Sequence, residues 1–305
     1  MTLNAMTLKN WLQQLRYRRF IRRSPYRTVL NELPASLLPH WQQHARDEFT
    51  GIPNDATFFI HAAEGLMMFF DCVKQSSLHA GRACALPSKA ADSIWHAWLS
   101  LPQARFSEID VDHFCLQHFG RRIPHVAAAQ IDEEAQGTMA EALANSLLQL
   151  RRMEGKDALS HTAPTLFTLD RRLKMPRGYS YGMVGDKLGF QHMSLLGQVS
   201  GAMLFPTTFF PMELLALGLI TAPMFEHYQR KQAALVAAQN NDTSSTSDAG
   251  LSSTSYNDTD CSPSNRADIG SSDSCSDAGS SSNSADSGST GSSCGSSCGS
   301  SCSSS

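Results

Sequence analysis

Apolar residues recur along much of this chain at three- and four-residue steps, the period of helices that bury one face. The longest run covers 55–75, where Phe59, Ala62, Ala63, Leu66, Phe70 and Val73 form one stripe and predict a core helix. Shorter helices are predicted over 39–49, stopped by Gly51, and over 89–101, with Ser88 placed to cap the first turn. A further one is predicted over 110–119, with Gly120 free to take the left-handed conformation that ends a helix. Met139, Leu143, Leu147 and Leu150 place another over 132–154, and a last one spans 226–239. The Gly-rich segment RGYSYGMVGDKLGF, 177–190, lacks a Walker or Rossmann pattern; Gly185-Asp186 suits the turn of a small hairpin. The stretch 195–225 is the most apolar and is long enough to cross a bilayer, but Pro206, Pro211, Pro223 and Glu213 interrupt it. Buried core helices are the first expectation there, ahead of a membrane-contacting hairpin or a partner surface.

Charge and composition divide the chain. The first 27 residues hold Lys9, Arg16, Arg18, Arg19, Arg22, Arg23 and Arg27 and no acid, with Leu8, Trp11, Leu12 and Leu15 at helical spacing. This predicts a short basic amphipathic helix ending at Ser24-Pro25, because the residue before a proline avoids the helical region. Such a helix either meets acids within the fold, Asp47 and Glu48 among them, or attracts an anionic membrane surface. Nucleic acid is not an expected partner; another protein is. From about residue 240 to the end, Ser, Gly and Asp dominate, with eight aspartates against the single Arg266. That composition offers too little apolar surface to offset the entropy of ordering, so 240–305 is expected to be a disordered, low-complexity acidic tail. Its evenly spaced Cys294, Cys298 and Cys302 suit a drifting repeat, and also a soft-metal or redox role. The fold class is therefore mostly α: a compact helical domain over 1–239 with a small hairpin, then the tail. No secretory leader is evident at the start, and only Cys72, Cys84 and Cys115 lie in the folded part. Reduced thiols and a cytoplasmic location, with peripheral membrane association as an option, are expected.

The candidate chemistry lies between 86 and 125. Asp92 and His96 stand four apart on one predicted helix, so their side chains share a face. Cys115 and His125 come next, and the four together would make a four-coordinate metal set of the kind zinc takes. A hydrogen-bonded structural cluster and a Cys-His catalytic pair are the other outcomes open at this point, with His113 and His118 as spare candidates. Pro87, Asp92, Trp95-His96, Cys115, Phe119-Gly120-Arg121 and His125 resemble the pattern of the glycine-rich-domain-containing-protein-like family, over about 40 residues. Some members of that family carry a second His two positions after the Trp-His pair, where this chain has Trp98. The resemblance implies no particular reaction. The expected function is that of a helical interaction or accessory protein with a structural metal site at Asp92, His96, Cys115 and His125. The alternatives are a metal-dependent or Cys-His hydrolase, and a peripheral membrane protein that uses its basic amino terminus.

Overall fold

A computed structural model describes residues 5–79, 81–101, 110–125, 138–185 and 187–244, all within the first of the chain's two units, Met1–Asp248. The predicted tail lies outside the described residues beyond Ser244. Among the described residues the protein is mostly α-helical with one small antiparallel sheet.

The predicted core helix is α4, Ala56–His79. Phe58, Phe59, Ile60, Ala62, Ala63, Leu66, Met67, Phe69 and Phe70 are all buried, more than one stripe accounts for, because other helices pack around it. Its neighbours include α1 (Ala5–Arg23), α2 (Arg27–Asn31) and α5 (Lys89–Leu99). They also include α6 (Val111–Phe119), α7 (Met139–Met153) and α8 (Leu169–Leu173). By length and composition α4 alone, among the described helices, would suffice to cross a membrane, and most of it is enclosed by protein. α3 (Leu37–Glu48) packs on α5, and its Trp41, fully buried, stacks on Phe58 and donates Nε1–H to Ser93 Oγ at 3.2 Å. In α1, Tyr17, Phe20 and Ile21 turn inward, as does Ser24 just past its end, while Arg16, Arg18, Arg19, Arg22 and Arg23 are exposed. The side chains of Leu8, Trp11 and Leu12 lie outside the described residues.

Local signals set several ends. Ser88 caps α5 by accepting the Ala91 N–H, and Gly120, at φ 76°, closes α6. Helix α7 starts at Met139, the first residue of its hydrophobic pattern, at a reciprocal capping box in which Thr138 and Glu141 each accept the other's backbone N–H. Residues 126–137, which hold the first part of the predicted helix over 132–154, are outside the described residues.

The hairpin forms: β1 (Tyr179–Val184) pairs with β2 (Lys187–Met193), with Val184 opposite Lys187 across the turn. A third strand, β3 (Val199–Leu204), adds to β2 in the order β1-β2-β3. This corrects the expectation of buried helices over 195–225. The segment instead forms a loop and an edge strand, then a 3₁₀ turn (Thr207–Phe209), the short helix α9 (Pro211–Ala216) and the start of α10 (Ala222–Ser244). Leu195, Leu196, Val199, Leu204 and Met212 are exposed; Phe209, Leu214 and Ile220 supply the buried part. The prolines cut the apolar run into pieces too short for a core helix. Helix α10 also runs a few residues past the expected boundary at 239.

One buried carboxylate ties sheet to helices. Asp170, in α8, accepts from Ser88 Oγ (2.6 Å) and the backbone N–H groups of Lys89 (3.1 Å), Ala90 (3.0 Å) and Tyr179 (3.0 Å). It thereby fastens the first turn of α5 and the first residue of β1 to α8. The backbone at Gly178 passes so close that a Cβ there would lie 2.7 Å from Asp170 Oδ2, which leaves glycine as the residue that fits.

Candidate metal centre

The site starts from the outward face of α5. Ala90, Ala91, Ile94, Trp95, Ala97 and Trp98 are buried against the core, which leaves Asp92 and His96, one turn apart, on the rim. Helix α6 then returns the chain, and Gly120 redirects it so that 121–125 runs back past α5 and delivers His125. Trp95 supports that histidine from beneath, edge to face, with ring centroids 4.6 Å apart.

Three donor atoms converge. His96 Nε2 lies 3.1 Å from His125 Nε2, His125 Nε2 lies 3.2 Å from Asp92 Oδ1, and His96 Nε2 lies 3.5 Å from Asp92 Oδ2. Donors about 2.0–2.2 Å from a tetrahedral ion stand roughly 3.3–3.6 Å apart, and an octahedral face is a few tenths tighter. The triangle spans those two cases. Among the described residues these three form the one group of His, Cys, Asp and Glu side chains close enough to share an ion.

The other nitrogen of His96 has its own partner. Glu48, the last residue of α3, accepts a hydrogen bond from His96 Nδ1, and Phe49 packs edge-on to the same ring. With the proton on Nδ1, the Nε2 lone pair points at the carboxylate of Asp92 and at His125. In that tautomer the single N–H on His125 Nε2 reaches one of its two neighbours, His96 Nε2 or Asp92, at a time. A cation at the centre would satisfy all three at once, and a carboxylate behind a ligating histidine fixes its tautomer and raises its basicity. The sequence offers Glu48 as a partner for the amino-terminal arginines; in the structure it faces His96 instead. Nothing in its local sequence marks it, because the contact bridges 48 residues.

Cys115 is not part of this set. Val111, Cys115 and Phe119 stand at four-residue steps on the core face of α6, and all three are buried. Burial, with Asp112 adding to it, pushes the Cys115 thiol up to about 12, and among the described residues its sulfur does not come within reach of an ion shared by Asp92, His96 and His125. Of the four residues expected from spacing, Asp92, His96 and His125 come together, with Glu48 against His96, while Cys115 faces the core. Of the spare candidates, His118 meets Glu32 at 3.3 Å and packs at a tilt against Phe114, away from the cluster. His113 is exposed on α6.

Asp92 and His96 keep 31% of their side-chain surface and His125 keeps 27%. An ion on this triangle would be held from one side and would keep positions open to solvent. That is the pattern of reactive rather than structural sites, whose four protein ligands close around the metal.

Residues 53–195 match the model of a protein family described as UCP032817-like. The matched region holds Asp92, His96 and His125, and also Cys115 and the Asp170 clamp; Glu48 falls just outside it. Comparison with curated proteins gave no match, and neither did comparison with solved structures.

Proposed function

We propose that this protein binds one divalent transition-metal ion on Asp92, His96 and His125, with Glu48 as the carboxylate behind His96, and uses the open side of that ion for metal-dependent chemistry. The observation that carries this is the triangle of two imidazole nitrogens and a carboxylate, whose donor atoms lie 3.1–3.5 Å from one another. Two histidines and one carboxylate are a recurrent donor set for catalytic zinc and for non-haem iron. An ion of this class lowers the pKa of a bound water to about 7, which makes hydroxide available near neutral pH; hydrolysis is the reaction class that such a site serves most directly. The accessory-protein function, with the same ion in a purely structural role, is the less favoured form, because the ligands are partly open to solvent.

The test is metal content and affinity. Protein stripped with a chelator and titrated with Zn²⁺ or Co²⁺ should take up one ion per chain, and Co²⁺ should give the visible absorption of a protein-bound ion. His96→Ala and His125→Ala should each abolish uptake, Glu48→Gln should weaken it by about 10–100-fold, and Cys115→Ser should leave it unchanged. Stripped wild-type protein that takes up no ion at micromolar concentrations would overturn the proposal. In that case the cluster is hydrogen-bonded only, and His96→Ala would cost about 1–3 kcal/mol of stability with no metal to lose.

A further inference from the structure

A second pair of reactive side chains lies apart from the metal cluster. Cys72, in the middle of α4 and fully buried, has its Sγ 4.0 Å from Sγ of Cys84, which sits in the irregular segment between α4 and α5 and is only half-buried. Around them the polar contacts favour Cys84. Asn145 Nδ2 donates to Cys84 Sγ at 3.4 Å and to the Ala83 carbonyl at 2.9 Å. The Cys72 thiol has the Cys84 sulfur and the Ser146 carbonyl (3.9 Å) as its acceptors.

We propose that Cys72 and Cys84 form a redox-active dithiol that hydroperoxides convert to a disulfide, with Cys84 as the attacking sulfur and Cys72 as the resolving one. The Cys84 sulfur attacks a peroxide oxygen, the O–O bond breaks, water (or an alcohol) leaves, and Cys84 becomes a sulfenic acid. The Cys72 sulfur then attacks Cys84, the S–O bond breaks, and the hydroxyl departs as water with the Cys72 proton. Two thiols and one hydrogen peroxide thus give one disulfide and two molecules of water. The hydrogen bond from Cys72 holds the Cys84 thiol below its ordinary value against the opposing effect of burial, with Ser76, Ser146 and Arg121 assisting, whereas Cys72 is held well above it. That direction favours the more accessible sulfur as the attacking one. Closing to a bond of about 2.05 Å brings the sulfurs together by roughly 2 Å. Helix α4 fixes one of them, so the movement falls on the segment carrying Cys84, four residues before the Ser88 cap of α5.

The experiment uses the full-length chain with Cys261, Cys275, Cys294, Cys298 and Cys302 replaced by Ser, which leaves three thiols. After brief hydrogen peroxide treatment, free thiols should fall from three to one, and non-reducing peptide mapping should find Cys72 joined to Cys84 with Cys115 still free. In the Cys72→Ser variant, dimedone should label Cys84, which shows the sulfenic acid trapped without its resolving partner. In Cys84→Ser, Cys72 and Cys115 should both stay reduced over the same exposure. Cys84 oxidised beyond sulfenic acid in the unsubstituted pair, with no linked peptide, would overturn the proposal. Oxidation of Cys115 at the same rate as Cys84 would overturn it as well, because reaction would then require the domain to open.

Discussion

Replacement of Asp170 should disturb the domain more than loss of any exposed charge. Its carboxylate is about 1% exposed and collects four donors from two separate pieces of chain, 88–90 and Tyr179. Burial pushes the Asp170 carboxyl above its ordinary value, and the hydrogen bonds from Ser88, Ala90, Tyr179 and Lys89 pull in the opposite direction. Asp170→Ala leaves those four donors without an acceptor. Each buried donor stranded in this way costs about 1–3 kcal/mol. The space vacated is large enough for a water that re-engages roughly two of them, which leaves about 4 kcal/mol as the expected loss. Asp170→Asn is the sharper probe because it keeps the volume. If the amide nitrogen replaces Oδ2, it faces the N–H groups of Lys89 and Tyr179, donor against donor. If it replaces Oδ1, it faces Ser88 and Ala90. The Ser88 hydroxyl can turn to accept from the amide, so the second orientation strands one donor, the Ala90 N–H, where the first strands two, and the expected loss is about 1–3 kcal/mol. Urea unfolding followed by circular dichroism at 222 nm measures both losses, provided that the slope with denaturant stays constant between variants. An Asp170→Asn protein within about 0.5 kcal/mol of wild type, the scatter of neutral surface changes, would refute the view that the ionised carboxylate is the acceptor holding these segments together.

Gly178→Ala should act through the same carboxylate: its Cβ at 2.7 Å from Asp170 Oδ2 forces an overpacking cost of about 1–3 kcal/mol. A double-mutant cycle with Asp170→Ala should recover much of that cost, and strict additivity would show that Gly178 matters for another reason. Asp157 predicts a pH effect. The backbone N–H of Leu159, with Lys231 3.0 Å away, holds its carboxyl below the ordinary value. A depressed carboxyl contributes stability above its unfolded pKa of about 3.9 and loses it as the pH falls through the folded value. Asp157→Asn should therefore differ from wild type at pH 6–7 and converge with it below pH 4; a gap that widens on acidification would reverse the sign. Added salt should shrink the part owed to the half-exposed Lys231 contact.

The longer helices were legible because each carries its own local signal, whereas the short α2, α8 and α9 were not anticipated. The stripe of α4, the Ser88 cap and Gly120 all operate within a turn or two of chain. The hairpin turn at 185–186 was equally local. Strand β3 was not legible: Val-Ser-Gly-Ala-Met-Leu shows no clean alternation, since five of its six residues are exposed and nothing selects one face. The apolar residues around it looked like core only because composition does not report which side faces protein. At the site, the helical step brought out Asp92 and His96 correctly as neighbours. Cys115 was misassigned although its own periodicity, Val111-Cys115-Phe119, marks a core position. Glu48 and Asp170 gave no signal at all, because each acts across a long sequence separation, 48 residues to His96 and 82 to Ser88.

The placement of His125 has a consequence for the chain as a polymer. Asp92 and His96 sit on a preformed helix, whereas His125 lies 29 residues beyond His96 and is reached through segments with little regular structure past α6. An ion that grips all three acts as a reversible staple across that loop, and the entropy of closing it varies only as the logarithm of its length. Part of the intrinsic affinity is then consumed in holding the loop shut, so a variant that stiffens 120–125 in place should bind the ion more tightly without touching a ligand. Conversely, chelation should raise hydrogen exchange first in 121–125 while the amides of α5, anchored by Asp170, stay protected.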